Sequence, residues 1–183
     1  MVRQPIVPEF TGEEFLRWES ARPEKYELHY GFVVSFAGGT LRHNAIALAM
    51  RDIFKNKLSS CATFALDVKT RIEDNAYYYP DVVVVCGEVD VDTDVIEAPT
   101  IVAEVLSPST QAYDRIDKRN AYRKLPSLRA LVIVHTETRR IEVDDRGGIG
   151  GAWRTTCYDD EMHAYVDSIV FPLDEIYGPM PTA

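Results

Sequence analysis

Hydrophobic and polar positions change rhythm along this chain, and each rhythm predicts an element. "TGEEFLRWES" (11–20) opens a short helix, and Thr11 followed three residues later by Glu14 fits a capping box. "KYELHYGFVVSFA" (25–37) alternates with period two and predicts two short strands turning near Gly31. "GGT" breaks the chain. "LRHNAIALAMRDIFKNKL" (41–58) then has helical period, with Ile46, Met50, Ile53 and Lys57 on one side. "CATFALDVKTRIED" (61–74) reads as one strand and "AYYYPDVVVVC" (76–86) as another. "TIVAEVLS" (100–107) is a third buried strand, and "TQAYDRIDKRNAYRKL" (110–125) is a polar helix ended by Pro126. "LRALVIVHTE" (128–137) is a strand, "RRIEVDDRGG" (139–148) begins a hairpin, and "AWRTTCYDD" and "SIVFPLDEIYG" close with mixed signals.

The predicted order is α-β-β-α-β-β-β-α-β followed by a strand-rich end. Continuous apolar strands such as "VVVV" and "LVIV" imply a sheet covered on both faces. Three adjacent strands without intervening helices argue against a doubly wound nucleotide fold, and neither G-x-G-x-x-G nor a P-loop is present. No repeat or linker divides the 183 residues, so a single domain over 1–183 is expected.

Composition alters this picture little. No apolar run approaches the roughly 20 residues that span a bilayer, and "MVRQPIVPEF" lacks the apolar core of a signal peptide. A cytoplasmic location is therefore expected. Cys61, Cys86 and Cys157 are widely spaced and odd in number, which favours small buried side chains over zinc ligands or a disulfide. The net charge of −9 speaks against a nucleic-acid coat protein. It leaves room for an enzyme that meets phosphate through a metal, because much of the acid sits in one loop, "GEVDVDTDVIEAP" (87–99).

Two carboxylates stand out in apolar surroundings. Asp81 opens "PDVVVV", and Glu104 lies inside "TIVAEVL". Burying an ionised carboxylate without a partner is costly. If the two strands are neighbours, one stagger brings both acids together, where they repel unless a cation lies between them. Hard oxygen ligands of this kind suit Mg²⁺ or Mn²⁺. Taken singly, each has a plainer explanation: an Asp after Pro caps turns, and a strand Glu can satisfy a loop arginine. In the following helix, Asp114, Lys118, Tyr122 and Leu125 share one face. Tyr122 and Leu125 turn that face to the sheet, so Lys118 points inward, although an inward lysine can also simply snorkel. Arg115, Arg119, Arg123 and Lys124 fall elsewhere, toward solvent.

"PDVVVV … TIVAEVLSPSTQAYDRIDKRNAYRKLPSLRALVIV" closely resembles the Uma-type restriction-endonuclease family, long classed as a domain of unknown function, within the PD-(D/E)xK nuclease superfamily. The likeness runs from about Tyr26 to about Val134, and "YELHYGFVV" and the helix carrying His43 resemble the family's upstream segment. The resemblance implies an α/β restriction-endonuclease-like core: a mixed central sheet flanked by helices, with extra N-terminal and C-terminal strands. It also implies metal-dependent phosphodiester hydrolysis in DNA. Asp81 and Glu104 would be the two acids. The position where the superfamily carries its lysine holds Leu106, so Lys118 would supply that charge from the helix. Asp81, Glu104 and the backbone carbonyl of Val105 would hold Mg²⁺ or Mn²⁺, and Lys118 would orient a water or offset charge on the phosphate. Glu27, His43, Asp114 and Tyr122 would be further ligands or partners of ligands. Arg115, Arg119, Arg123 and Tyr79 would contact nucleic acid, Tyr79 by stacking at the cleft rim. The plainer reading packs the tyrosines at a strand end with their hydroxyls in water. Nucleases of this fold often pair to cut both strands, so a homodimer is expected.

Other signals carry less. "DVDTD" (90–94) lacks the glycine and glutamate of a calcium loop. "DVK" (67–69) precedes the Pro-Asp pair, and Asp67, Lys69 and Arg71 read as a wet strand face or a sheet edge. Ser107 and Ser109 form no recognisable triad, and "DDRGGIGGAW" is a turn rather than a phosphate loop. Two classes remain: a metal-dependent endonuclease, or a nuclease-fold module that binds or assembles without catalysis.

Overall fold

A computed structural model describes residues 9–35, 39–106, 117–147, 151–159, 162–167 and 169–178. Helix α1 (Gly12–Glu19) starts as predicted: the Glu14 N–H donates to Thr11 Oγ1 at 3.3 Å, and the Thr11 N–H to Glu14 Oε2 at 2.9 Å. Its Phe15 is buried against Leu28 and Tyr77. Strands β1 (Tyr26–His29) and β2 (Phe32–Ser35) form the expected hairpin. Its turn residues, Tyr30 and Gly31, have φ of 48° and 92°. A two-residue hairpin turn with left-handed backbone at both positions matches the twist of the strands, and glycine enters that region without steric cost.

Both long strand predictions break in the middle. Residues 61–74 form β3 (Ala62–Ala65) and β4 (Lys69–Glu73), separated by Leu66 and Asp67, both left-handed with φ of 56° and 70°. Residues 76–86 form β5 (Ala76–Tyr78) and β6 (Val82–Val85), separated around Pro80, which has no N–H to give a ladder. The later strands are β7 (Val95–Ile96), β8 (Ile101–Leu106), β9 (Ala130–His135), β10 (Arg140–Asp145) and β11 (Arg154–Asp159). One five-stranded sheet has the order β2-β1-β5-β4-β7; a six-stranded sheet has the order β11-β10-β9-β8-β6-β3. The chain therefore passes from the first sheet to the second between Tyr78 and Val82, and Asp81 stands at that crossing.

The six-stranded sheet is mixed, since β8 and β9 run parallel and their neighbours antiparallel. Both faces are covered, as the apolar runs require. Helix α2 (Leu41–Lys57) lays Ile46, Met50, Ile53 and Phe54 on the face carrying Val82, Val84 and Ala103, while Lys57 at its end is exposed. A final hairpin, β12 (His163–Val166) and β13 (Ile169–Pro172), closes the same side together with α4 (Leu173–Tyr177), named after α3 (Arg119–Lys124) in chain order. Its Phe171 ring lies 4.9 Å from that of Phe54. On the opposite face α3 packs Ala121 and Tyr122 against Val102, Leu106, Leu131 and Ile133.

Two expectations are corrected here. Cys61 and Cys86 are joined in a disulfide rather than buried as separate thiols, and Cys157 is free and exposed. The β3–β6 register, continued one step past Ala62↔Val85, sets the two cysteines opposite each other. Lys69, expected on a wet face, is buried and meets Glu19 Oε2 at 2.7 Å. Among the described residues no helix is long and apolar enough to cross a membrane.

Candidate functional site

The register of the β6–β8 pair brings the two anomalous acids together. Val82 faces Ala103 and Val83 faces Val102, so one step further Asp81 comes opposite Glu104. Side chains directly opposite on antiparallel strands have Cβ atoms about 4.5–5.5 Å apart. Both acids are buried, at 6% and 8% exposure. Asp81 Oδ2 accepts the Val105 N–H at 2.7 Å, and His43 Nε2 lies 3.3 Å from the same oxygen. Glu104 Oε1 accepts the Tyr122 hydroxyl at 2.7 Å. Burial drives the Tyr122 pKa well up, and the charges of Glu104 and Glu27 drive it further, so the hydroxyl stays a proton donor.

Lys118 enters from the start of α3 with an exposure of only 4%. Its Nζ donates to Glu27 Oε1 at 2.8 Å and lies 3.8 Å from Glu104 Oε1. Glu27, from β1 in the other sheet, is fully engaged. Its Oε1 also accepts the Tyr79 N–H at 2.9 Å, and His29 Nε2 lies 3.0 Å from Oε2. Burial alone would push the Glu27 pKa up. The Lys118 charge and the bonds from His29, Lys118 and Tyr79 outweigh it and hold the carboxyl below its ordinary value. Glu27 is thus an anchor for the lysine, a carboxylate with little left to offer an ion.

Asp81, Glu104, Lys118, Glu27, His43 and Tyr122 therefore gather from both sheets and two helices into one buried cluster around Val105. Among the described residues no three His, Cys, Asp or Glu side chains form a ready cage for a metal ion. A small hard cation asks for less, because Mg²⁺ keeps several waters and takes one or two carboxylates. The donor set fits that requirement. Both of these contacts on Asp81 fall on Oδ2. In a strand the N–H and C=O of one residue leave on the same side, so the Val105 carbonyl points with its N–H past the end of β6 toward Asp81.

Other sequence assignments change. Arg119 and Arg123 are only partly exposed: both are drawn onto buried Asp144 of β10, and Arg119 also onto Glu142. The Tyr79 hydroxyl is not in water: the side chain is buried and the hydroxyl donates to Glu19 Oε1 at 2.9 Å. Asp114 and Arg115 lie outside the described residues. His29 escaped the sequence reading, although "ELH" places it two residues from Glu27 on the same strand face. Asp144 and Glu142 escaped too, and their alternation in "IEVDD" was the available signal. Replacing Tyr122 with phenylalanine removes a bond to a buried carboxylate and is expected to cost about 1.5–3 kcal/mol in urea unfolding. A variant as stable as the parent would show that bond to be idle.

Comparison with known proteins places this arrangement. The fold is that of a crystal structure described as "a putative nuclease belonging to DUF820" from Anabaena variabilis, with a TM-score of 0.71 over 92% of this chain and 97% of that one, at 17% identity. It is a nuclease-type α/β fold. Residues 12–172 match the family described as "Uma2: Putative restriction endonuclease", and the chain belongs to that family. Its relatives include two uncharacterized proteins of Synechocystis sp. (strain ATCC 27184 / PCC 6803 / Kazusa). One, slr1290, is 32% identical over 176 residues, covering 93% of this chain and 92% of the relative. The other, sll1609, is 28% identical over 138 residues, covering 72% and 78%.

Proposed function

We propose that this chain is a Mg²⁺- or Mn²⁺-dependent endonuclease that hydrolyses phosphodiester bonds in DNA. The observation that supports it most is the meeting of Asp81, Glu104 and Lys118, from three separate segments, beside Val105: the Val105 N–H donates to Asp81, Glu104 stands opposite Asp81, and the lysine lies 3.8 Å from Glu104. Asp81, Glu104 and the Val105 carbonyl would hold the ion. When bound, the ion supplies the positive charge that acidifies a water and offsets charge building on the phosphate. Lys118, restrained by Glu27, would bring its positive charge to the attacking water or to a non-bridging phosphate oxygen. Tyr122 holds Glu104 by a hydrogen bond, and the Val105 N–H and His43 hold Asp81. Cutting both strands of a duplex calls for two such centres, and a homodimer would provide them.

A supercoiled-plasmid assay with the parent chain and Glu104→Gln tests the reading. Nicking in Mg²⁺ that stops with EDTA and falls to background in Glu104→Gln is expected. Equal nicking by both chains would place the activity elsewhere. Absence of nicking by a chain that still binds Mn²⁺ would select the non-catalytic binding module.

A further inference from the structure

Arg119 and Arg123, expected to point toward solvent, are held by buried carboxylates of β10. Arg119 follows Lys118 directly, and its side chain is only 14% exposed. Nε donates to Asp144 Oδ2 at 2.7 Å, Nη1 to Glu142 Oε2 at 2.8 Å, and Nη2 to Asp144 Oδ1. Thr155 Oγ1 donates to Asp144 Oδ1 at 2.7 Å, and Arg123 Nε to Asp144 Oδ2 at 2.9 Å. His135 Nε2 lies 3.0 Å from Glu142 Oε1. The described residues of helix α3 are Arg119–Lys124, and side-chain bonds tie them to the sheet. The helix's rotation is fixed from two sides: Tyr122 on Glu104, and the Arg119 fork on two buried carboxylates of β10.

We propose that Arg119 is a positioning residue for the reaction: its planar fork on Asp144 and Glu142 sets the rotation of α3 and thereby aims the Lys118 ammonium at Glu104. The proposal rests on the reading of Lys118 as the assisting amine. Only arginine presents three donors in one plane, so lysine at 119 keeps the charge but frees the helix to turn. A displacement of about 1 Å at a reacting centre can cost on the order of 10²-fold in rate.

The test combines two readouts on Arg119→Lys. The first is the side-chain ammonium spectrum of protein labelled with ¹⁵N-lysine. Lys69 and Lys118 are both buried and ion-paired, so both should give slowly exchanging Nζ signals. Arg119→Lys is expected to lose or broaden the Lys118 signal and keep that of Lys69, an internal control for general loosening. The second is nicking at saturating DNA, expected to fall about 10- to 100-fold with KM unchanged. Arg123→Gln, which shares Asp144 but sits a turn further on, should keep the Lys118 signal. If Arg119→Lys does not fold, Glu142→Gln takes its place, since it removes one leg of the clamp with an isosteric neutral group. Retention of the Lys118 signal in the folded variant would overturn the proposal, as would parallel loss of both lysine signals. If the parent chain does not nick DNA, the endonuclease reading fails while the spectrum still decides whether Arg119 aims Lys118.

Discussion

Replacing Lys118 with methionine is expected to destabilise the protein by about 3–5 kcal/mol at neutral pH and to slow nicking by about 10²–10³-fold. The two effects have one source. Glu27 and Glu104 are buried, and the lysine is the charge that stands between them. Methionine fills a similar volume but leaves both carboxylates facing each other without it. The pH dependence should reverse as well. In the parent chain Glu27 titrates below its ordinary value, so its contribution is present above the usual carboxylate range and is lost as pH falls through the folded value. Burial is already the largest single influence on Glu27; in Lys118→Met the lysine no longer offsets it, and the folded value is expected to rise. The penalty then grows as pH rises above the ordinary range and disappears on acidification. Urea unfolding at about pH 7 and about pH 4 should therefore show the gap between the two chains closing at the lower pH. A gap of constant size would remove Glu27 from the account.

Asp81→Asn should behave in the opposite manner, losing function while keeping the fold. Asparagine retains an oxygen for the Val105 N–H, so the change in stability should stay within about 1.5 kcal/mol. The anionic oxygen for a divalent ion is gone. Calorimetry should register Mn²⁺ binding in the parent chain and none in Asp81→Asn, and nicking should fall to background. A variant that binds Mn²⁺ and nicks like its parent would leave Asp81 as a cap at the sheet crossing. The contrast between the two substitutions is itself informative: one carboxylate would serve the ion, while the lysine serves the fold as well as the reaction.

How much of this was legible in the sequence follows from the range of each interaction. Alternation and apolar runs locate Val82–Val85, Ile101–Leu106 and Ala130–His135, because each strand is buried on both faces. A lone carboxylate in such surroundings announces itself, so Asp81 and Glu104 were visible as anomalies, and helical spacing put Lys118 on the inner face with Tyr122. The sheet crossings were not visible. Alternation cannot report that Leu66 and Asp67 turn left-handed, or that residues on either side of Pro80 belong to different sheets. Arg119 and Arg123 were misplaced because their counterions lie on β10, beyond the reach of helical spacing. Cys61 and Cys86 were misread for a similar reason: their pairing depends on the register of β3 with β6, and nothing in their spacing encodes it. Tyr79 was judged by strand alternation, yet its hydroxyl answers to Glu19 at the end of α1.

The central claim is that Asp81 and Glu104 share a divalent cation. Crystals soaked in MnCl₂ and measured at the manganese absorption edge test it most directly. The account predicts one anomalous peak between the two carboxylates, within about 2.0–2.3 Å of an oxygen from each and close to the Val105 carbonyl. A fully soaked crystal with no peak there, or with manganese only on the exposed acids of residues 87–99, would contradict it.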